Sequence, residues 1–327
     1  MGKDIKRIAV FTSGGDAPGM NAAIRAVVRT ATYHNLHIYR INRGYTGMIE
    51  GEIERIETKD VGNIIHRGGT ILKTSRCEEF RTKEGRAVAF EKLSAFGIDA
   101  CIAIGGNGTF TGAKVFTSEY NIPFVGIPGT IDNDLFGTDF TIGFDTSINT
   151  AIEAVDRIRD TADSHNRLFF IEVMGRHAGF IALATAIGSG AETVIVPEST
   201  TSQEDIIETL KKGVNRKKLF SVIIVAEGST IGGAHAIAEK VASIVGKDKT
   251  RVAVIGHLQR GGAPSASDRM LASRLGYGAV NALLDGKSNV MIGIQNQNLS
   301  YTPFDDAIEK KKPLNEDVLD MSKILSQ

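Results

Sequence analysis

The segment Pro128-Gly129-Thr130-Ile131-Asp132-Asn133-Asp134 carries two carboxylates two residues apart, directly after the apolar run Phe124 to Ile127. At the carboxyl end of a strand such a pair can divide labour. One carboxylate takes a proton from an attacking hydroxyl while the other helps hold magnesium. An Asx-turn, in which Asp and Asn side chains bond to nearby backbone, accounts for the same residues without chemistry. Two further segments present stacked glycines, Ser13-Gly14-Gly15-Asp16 and Gly105-Gly106-Asn107-Gly108-Thr109. Glycine lets main-chain amides approach a phosphate closely, and a following helix N-terminus adds about half a positive charge. Turn geometry alone explains one such loop; two in a single α/β sheet favour phosphate binding. Arg76, Arg167, Arg176, Arg251 and Arg260 all fall in short segments beside strand-like runs. Each is open to a solvated or structural reading, but the planar guanidinium suits a phosphoryl group, and several can hold a substrate phosphate and a transferring one.

Better-known nucleotide signatures fail. Gly286-Lys287-Ser288 resembles the end of a P-loop, but Asn281 stands where its first glycine belongs, and the segment follows a helical stretch instead of opening one. The glycines from Gly106 to Gly112 miss the dinucleotide spacing by one residue, and the second strand, Ile38 to Ile41, ends in Asn42 with no acid. The protein-kinase set of motifs is absent. Any nucleotide must bind by another scheme.

These loops need a frame, and the chain's rhythm supplies one: short β-branched runs, a glycine-rich break, then helical periodicity. Strands are expected at Ile8 to Phe11, Cys101 to Ile104, Phe124 to Ile127, Leu168 to Val173, Thr193 to Val196, Ser221 to Val225 and Val252 to Ile255. After the first loop, Ile24, Val27, Val28 and Ala31 form the stripe of an amphipathic helix. Further helices are expected at Ile148 to Arg159 and Glu204 to Lys212. Strands alternating with helices imply an α/β fold with parallel sheets covered on both faces. Ligands bind at the carboxyl ends of such strands, where the unusual loops fall.

A length of 327 residues suggests two domains, and 42% hydrophobic with 23% charged residues supplies ample core. Lysine plus arginine equals aspartate plus glutamate, 38 each, so no global field attracts nucleic acid or an acidic membrane. Cys101 reads as a small buried hydrophobe, and Cys77 follows an arginine. Two cysteines make no disulfide framework or zinc spacing, the first residues show no signal-peptide core, and no apolar stretch approaches a membrane span. A reducing, cytoplasmic compartment is expected.

Taken in order, TSGGDAPGMNAAIR, RGGT with TSR, GGNGT, PGTIDND, TIGFDT, SHNR, EVMGRHAG, AEG and HLQRGG resemble the bacterial ATP-dependent 6-phosphofructokinases from end to end. The resemblance implies two doubly wound domains with mainly parallel sheets and an active site in the cleft between them. Residues 1–143 plus 259–308 would bind nucleotide, and 144–258 plus 309–327 the sugar phosphate. It further implies that Asp132 is the base for the 1-hydroxyl of fructose 6-phosphate, with Thr130 beside it. Arg76 and Arg176 would stabilise charge on the transferring group. Gly15, Arg76, Cys77, Gly106, Asn107, Gly108 and Thr109 would bind ATP, with Tyr45 and Arg81 nearby, and Asn107 and Asp134 would flank Mg2+. Thr130, Ile131, Asp132, Arg167, Met174, Gly175, Arg176, Glu227, Arg251, His257, Leu258, Gln259 and Arg260 would bind the sugar phosphate. Arg167 and Arg251 reach a neighbouring subunit's site in this family, which implies a homotetramer. Arg25, Arg29, Arg159, Glu192, Arg216 and Lys218 match positions that take ADP or phosphoenolpyruvate as effector.

The chain departs from the pattern at three places. Asn107 stands where an aspartate normally helps hold magnesium, which implies a slowed enzyme or, alternatively, a weakly active or inactive member serving as a regulatory subunit. Thr58 and Phe220 replace an effector-site arginine and histidine, which implies altered allostery. Gly108 and Gly129 occupy positions that pyrophosphate-using relatives fill with an acid and a lysine, so ATP is the implied donor.

Overall fold

The computed structural model describes residues 5–165, 167–199 and 221–325. Arg216, Lys218, Phe220 and the helix expected over Glu204 to Lys212 lie outside the described residues. The chain divides into two compact units: Met1–Ile131, Leu135–Thr146 and Arg260–Lys312 form the first, and Asp132–Asp134, Ser147–Gln259 and Pro313–Gln327 the second.

In the first unit the elements run β1 (Arg7–Thr12), α1 (Met20–Tyr33), β2 (His37–Ile41), α2 (Gly44–Glu50), β3 (Ile53–Arg55), α3 (Lys83–Ala95), β4 (Ala100–Gly105), α4 (Asn107–Tyr120) and β5 (Phe124–Pro128). Ile8, Ala9, Val10 and Phe11 are all fully buried, as they must be in a strand with helices over both faces. On α1 the stripe Ile24, Val27, Val28 and Ala31 is equally buried.

The second unit contains α5 from Ser147 onward (the helix spans Phe144–His165), β6 (Leu168–Val173), α6 (Phe180–Ser189), β7 (Thr193–Ile195), β8 (Ser221–Ala226), α7 (Ala234–Val245) and β9 (Thr250–Val254). The chain then returns to the first unit with α8 (Ala266–Leu284), β10 (Val290–Gln295), β11 (Asn298–Pro303) and α9 (Phe304–Glu309), and ends in the second with α10 (Glu316–Leu325).

The first unit's sheet has the order β11-β10-β5-β4-β1-β2-β3, parallel except for β11 and β3, which pair antiparallel at the two edges. The chain leaves β1 toward β2 on one side and reaches β4 and β5 on the other, so the strand order reverses between β1 and β4. That is the crevice where doubly wound sheets take their ligands. The second unit's sheet, β7-β8-β6-β9, is wholly parallel. The hairpin of β10 and β11 turns on Asn296 and Gln297, both left-handed at φ 48° and 68°, as a two-residue turn between right-twisted strands requires. Cys101 is fully buried in β4, and burial pushes its thiol well above the ordinary range.

The ion pair of Arg86 and Glu119 is set into the first unit. The Arg86 guanidinium donates to both Glu119 oxygens at 2.6 and 2.7 Å and to the carbonyls of Phe80 and Arg81 at 3.1 and 2.7 Å. It therefore fixes the short 3-10 turn Glu79–Arg81. Hydrogen bonding to Arg86 holds the Glu119 carboxyl below the ordinary range. A depressed folded-state pKa contributes stability above the unfolded value and loses it as pH falls through the folded one. Glu119→Ala is expected to cost about 1.5–3 kcal/mol in denaturant unfolding near neutral pH. That difference should shrink in acid, below the ordinary glutamate range.

Candidate active site

In the first unit β5, β4 and β1 lie side by side and parallel, so the loops that follow them emerge together at one edge of the sheet. Backbone bonds stitch them: Ser13 N donates to Ile104 O at 3.0 Å and Gly129 N to Gly105 O at 2.9 Å. Thr109 Oγ1 donates to Ser13 O at 3.1 Å. A Cβ on Gly105 would fall 2.3 Å from Thr109 Oγ1 and 2.5 Å from Ser13 O, so only glycine permits this approach.

The two glycine loops differ. Asn107, Gly108 and Thr109 are themselves the first turn of α4, whose cap, Gly106, offers no side chain to the free amides. Helix-end charge acts there. The first loop lacks that help, contrary to expectation: Pro18 and Gly19 delay the helix, and α1 begins only at Met20, five residues past Gly15. Instead Gly15 lies against an arginine. Arg260 donates to Asp16 O at 3.1 Å, and a Cβ on Gly15 would sit 2.7 Å from its Nη1. Gly108 is exposed with open space around it, whereas a Cβ on Gly129 would meet Ile104 and Met20 at 2.9 Å. Glycine at 129 is thus also a packing requirement.

Asn107 Oδ1 is buried and has no hydrogen-bond partner among the described residues. Tyr45, expected beside the nucleotide, lies under the turn: its buried hydroxyl donates to Thr109 O at 2.6 Å and its ring stacks on Phe80 at 3.9 Å. Burial pushes this phenol upward.

The arm bearing Arg76 is laced to the same loops. Asn21, fully buried on α1, donates to the carbonyls of Arg67 and Gly68 at 3.0 and 3.2 Å and accepts from Ile71 N at 2.8 Å. Thr74 Oγ1 donates to Gly14 O at 2.7 Å, and Thr12 Oγ1 donates to Lys73 O at 2.8 Å. Arg76 and Arg81 are exposed, and Cys77 is half-buried against the core. After β5, Asp132 and Asn133 are buried, at 7% and 3% exposure, while Asp134 is half-buried. Thr141 Oγ1 donates to Thr130 O at 2.6 Å, and Asn133 is left-handed at φ 53°.

In the second unit the adjacent strands β8, β6 and β9 lead into Glu227, Met174-Gly175-Arg176 and the residues Gly256 to Gln259 of a 3-10 turn. Arg176, Glu227, His257 and Leu258 are exposed; Met174, Gly175 and Gln259 are buried. Arg167 and Arg251 stand apart from these residues. Arg167 precedes β6 and Arg251 is the second residue of β9, beside Phe169. They share the amino end of this sheet, about 16 Å of strand from its carboxyl end. Of the effector candidates, Arg25 and Arg29 lie on α1 in the first unit. In the second, Arg159 donates to Ser189 O and Glu192 accepts from Val222 N at 2.6 Å.

One positioning residue escaped the sequence reading. Asp268 is buried in α8 and accepts from Gly143 N and Thr146 N at 2.8 Å each and from Thr146 Oγ1 at 2.5 Å. Ser265 Oγ accepts from Asp268 N at 3.2 Å, so the pattern Ser265-x-x-Asp268 before an apolar stretch was the available signal. Burial pushes this carboxyl upward against those bonds. A raised acid subtracts stability above its folded pKa and is relieved as pH falls through it.

The pattern of the Phosphofructokinase family matches residues 7–283. The chain is 56% identical over 322 residues to the ATP-dependent 6-phosphofructokinase of Cytophaga hutchinsonii, covering 98% of each. It is 54% identical to ATP-dependent 6-phosphofructokinase 1 of Thermus thermophilus, over 98% of this chain and all of the relative. The solved phosphofructokinase of Saccharomyces cerevisiae superposes with a TM-score of 0.88 at 37% identity, over 93% of this chain, which spans 45% of the yeast chain's length. With most of its length matched by one family pattern and more than half its residues shared with relatives of equal length, the chain belongs to the phosphofructokinase family.

Proposed function

We propose that this chain is an ATP-dependent 6-phosphofructokinase: it transfers the γ-phosphoryl group of ATP to the 1-hydroxyl of fructose 6-phosphate, giving fructose 1,6-bisphosphate and ADP in glycolysis. The observation that carries this reading is the convergence of three loops, Gly14-Gly15, Gly106-Asn107-Gly108 and Gly129-Thr130-Ile131, at the carboxyl ends of β1, β4 and β5. Relatives of 56% and 54% identity bear the same activity in their names.

Asp132, buried in its turn, takes the proton of the sugar hydroxyl as that oxygen attacks, and Thr130 lies beside it. The first unit binds nucleotide: Gly15 and the uncapped turn of α4 offer amides to phosphate oxygens, and Arg76 neutralises them. Met174, Glu227, His257, Leu258 and Arg260 bind the sugar phosphate. Arg176 stabilises charge on the transferring group. Gly108, open to free space, leaves room for the nucleoside that distinguishes ATP from pyrophosphate.

Magnesium, when bound, neutralises phosphate charge as the transfer proceeds. The donor set fits it. No cluster of three or more His, Cys, Asp or Glu occurs among the described residues, so the ion would draw most oxygens from nucleotide and water. Asn107 Oδ1, a buried acceptor awaiting a donor, would suit a water on such an ion; the family resemblance assigns the Asp134 carboxylate to the same ion.

Arg167 and Arg251 lie at the amino end of the second unit's sheet, away from Arg176; as the resemblance to the bacterial phosphofructokinases implies, they serve a neighbouring copy's site in a homotetramer. Sedimentation as a monomer would remove this part. ADP or phosphoenolpyruvate is the effector at Arg25, Arg29, Arg159 and Glu192, a point that titrating each into the assay tests. The compartment is cytoplasmic; among the described residues no helix is long and apolar enough to cross a membrane.

The deciding experiment is fructose 1,6-bisphosphate formation by the purified protein in saturating Mg-ATP. Steady product is expected, with pyrophosphate a poor donor. Binding of both substrates without turnover would replace the catalytic reading with a regulatory one.

A further inference from the structure

Met174, Gly175 and Arg176 direct three successive main-chain amides at two side chains. Met174 N donates to Gln259 Oε1 at 2.8 Å, and Gly175 N and Arg176 N donate to Glu227 Oε1 at 3.3 and 2.6 Å. The backbone held this way is one that L-residues avoid: φ is 146° at Gly175 and 56° at Arg176. Gly228 closes the turn from beneath, since a Cβ there would lie 2.0 Å from Arg176 O. Gln259 is fully buried, and its Nε2 donates to Ser147 Oγ at 3.0 Å. Both ends of its amide are therefore taken by protein groups. A ligand could reach it only by leaving Met174 N or Ser147 Oγ buried and unpaired, which is costly. Glu227 has an exposed body, but one carboxylate oxygen is committed to the Gly175 and Arg176 amides.

We infer that Gln259 and Glu227 are positioning residues that hold Met174-Gly175-Arg176 in its left-handed turn, so that their influence on phosphoryl transfer passes through Arg176. This deepens the proposed function and rests on it for the role of Arg176. Gln259 contributes to the sugar site through the main chain it supports and touches no ligand. Glu227 keeps a second oxygen for the sugar and couples sugar binding to the shape of the arginine turn.

The test uses the full-length protein and two readouts: amide hydrogen exchange at Met174, Gly175 and Arg176 without substrates, and steady-state kinetics. Gln259→Met keeps the volume and loses the side-chain hydrogen bonds to Met174 and Ser147, whereas Gln259→Glu keeps an acceptor for Met174 N. Gln259→Met is expected to speed exchange and lower kcat, each by about tenfold, with KM for ATP unchanged. Gln259→Glu should restore much of both. In an Arg176→Gln background, Gln259→Met should cost little further activity, because the group it positions is gone. Unchanged exchange with a fallen kcat, or effects of the two substitutions that multiply in full, would overturn the inference. If Gln259→Met does not fold, Glu227→Ala against Glu227→Gln asks the same question at an exposed residue, and equal exchange in the two would also overturn it. Exchange is read without turnover, so an inactive protein still reports on the hold, and failure of the kinase reading remains distinguishable.

Discussion

Asp132→Asn is expected to lower kcat by about 10²–10⁴-fold, the span that a positioned general base contributes. This corresponds to about 2.7–5.5 kcal/mol of barrier. The substitution preserves shape, and the turn it occupies is fixed by other atoms: Gly129 N to Gly105 O at 2.9 Å, Ile142 N to Pro128 O at 2.9 Å, and Thr141 Oγ1 to Thr130 O at 2.6 Å. The fold and the affinity for ATP should therefore survive while proton acceptance is lost. Steady-state kinetics with a matched thermal melt separates these effects. A variant with undiminished kcat would move the base elsewhere and leave the buried Asp132-Asn133 pair as a turn-former, the reading that its Asx chemistry always allowed.

What the sequence disclosed, it disclosed through burial. Runs such as Ile8 to Phe11 and Cys101 to Ile104 are apolar at every position because helices cover both faces, and strands formed there. The edge strands were not legible. Asn298–Pro303 alternates polar and apolar residues weakly, and its turn is Asn296-Gln297, without the glycine that usually betrays a hairpin. Ile53–Arg55 is three residues long, too short for any periodicity. The loops of the candidate site could be found because glycines, carboxylates and arginines punctuate strand ends. Their partners could not, because strand order is set by long-range pairing. Nothing local says that β1 sits beside β4, or that Arg167 and Arg251 share the sheet edge remote from Arg176. Gln259 shows the same limit: beside His257 and Arg260 it reads as a ligand contact, yet its burial and hydrogen bonds exist only once Met174 and Ser147 are folded against it.

Asn107→Asp should raise kcat/KM for Mg-ATP by about 10–100-fold, the equivalent of one charge-assisted hydrogen bond of about 1.5–3 kcal/mol. The wild-type side chain presents a neutral oxygen, Oδ1, that is buried and unmet by any donor among the described residues. An amide there can accept from water on a metal but cannot neutralise it, and magnesium favours carboxylate and phosphate oxygens. The new charge would stand at the first residue of α4, where the uncapped helix end favours an anion, so the carboxylate costs little to install in the folded protein. The added attraction falls on the metal-nucleotide and on the charge that develops during transfer, so both the magnesium dependence and kcat should respond. Titrating magnesium into the ATP-loaded protein reads the first without turnover, and steady-state kinetics reads the second. Tighter magnesium binding with an unchanged or lower rate would show that the native asparagine does not limit catalysis. If neither moved, Asn107 would lie outside the metal's reach, and the buried Oδ1 would need another partner.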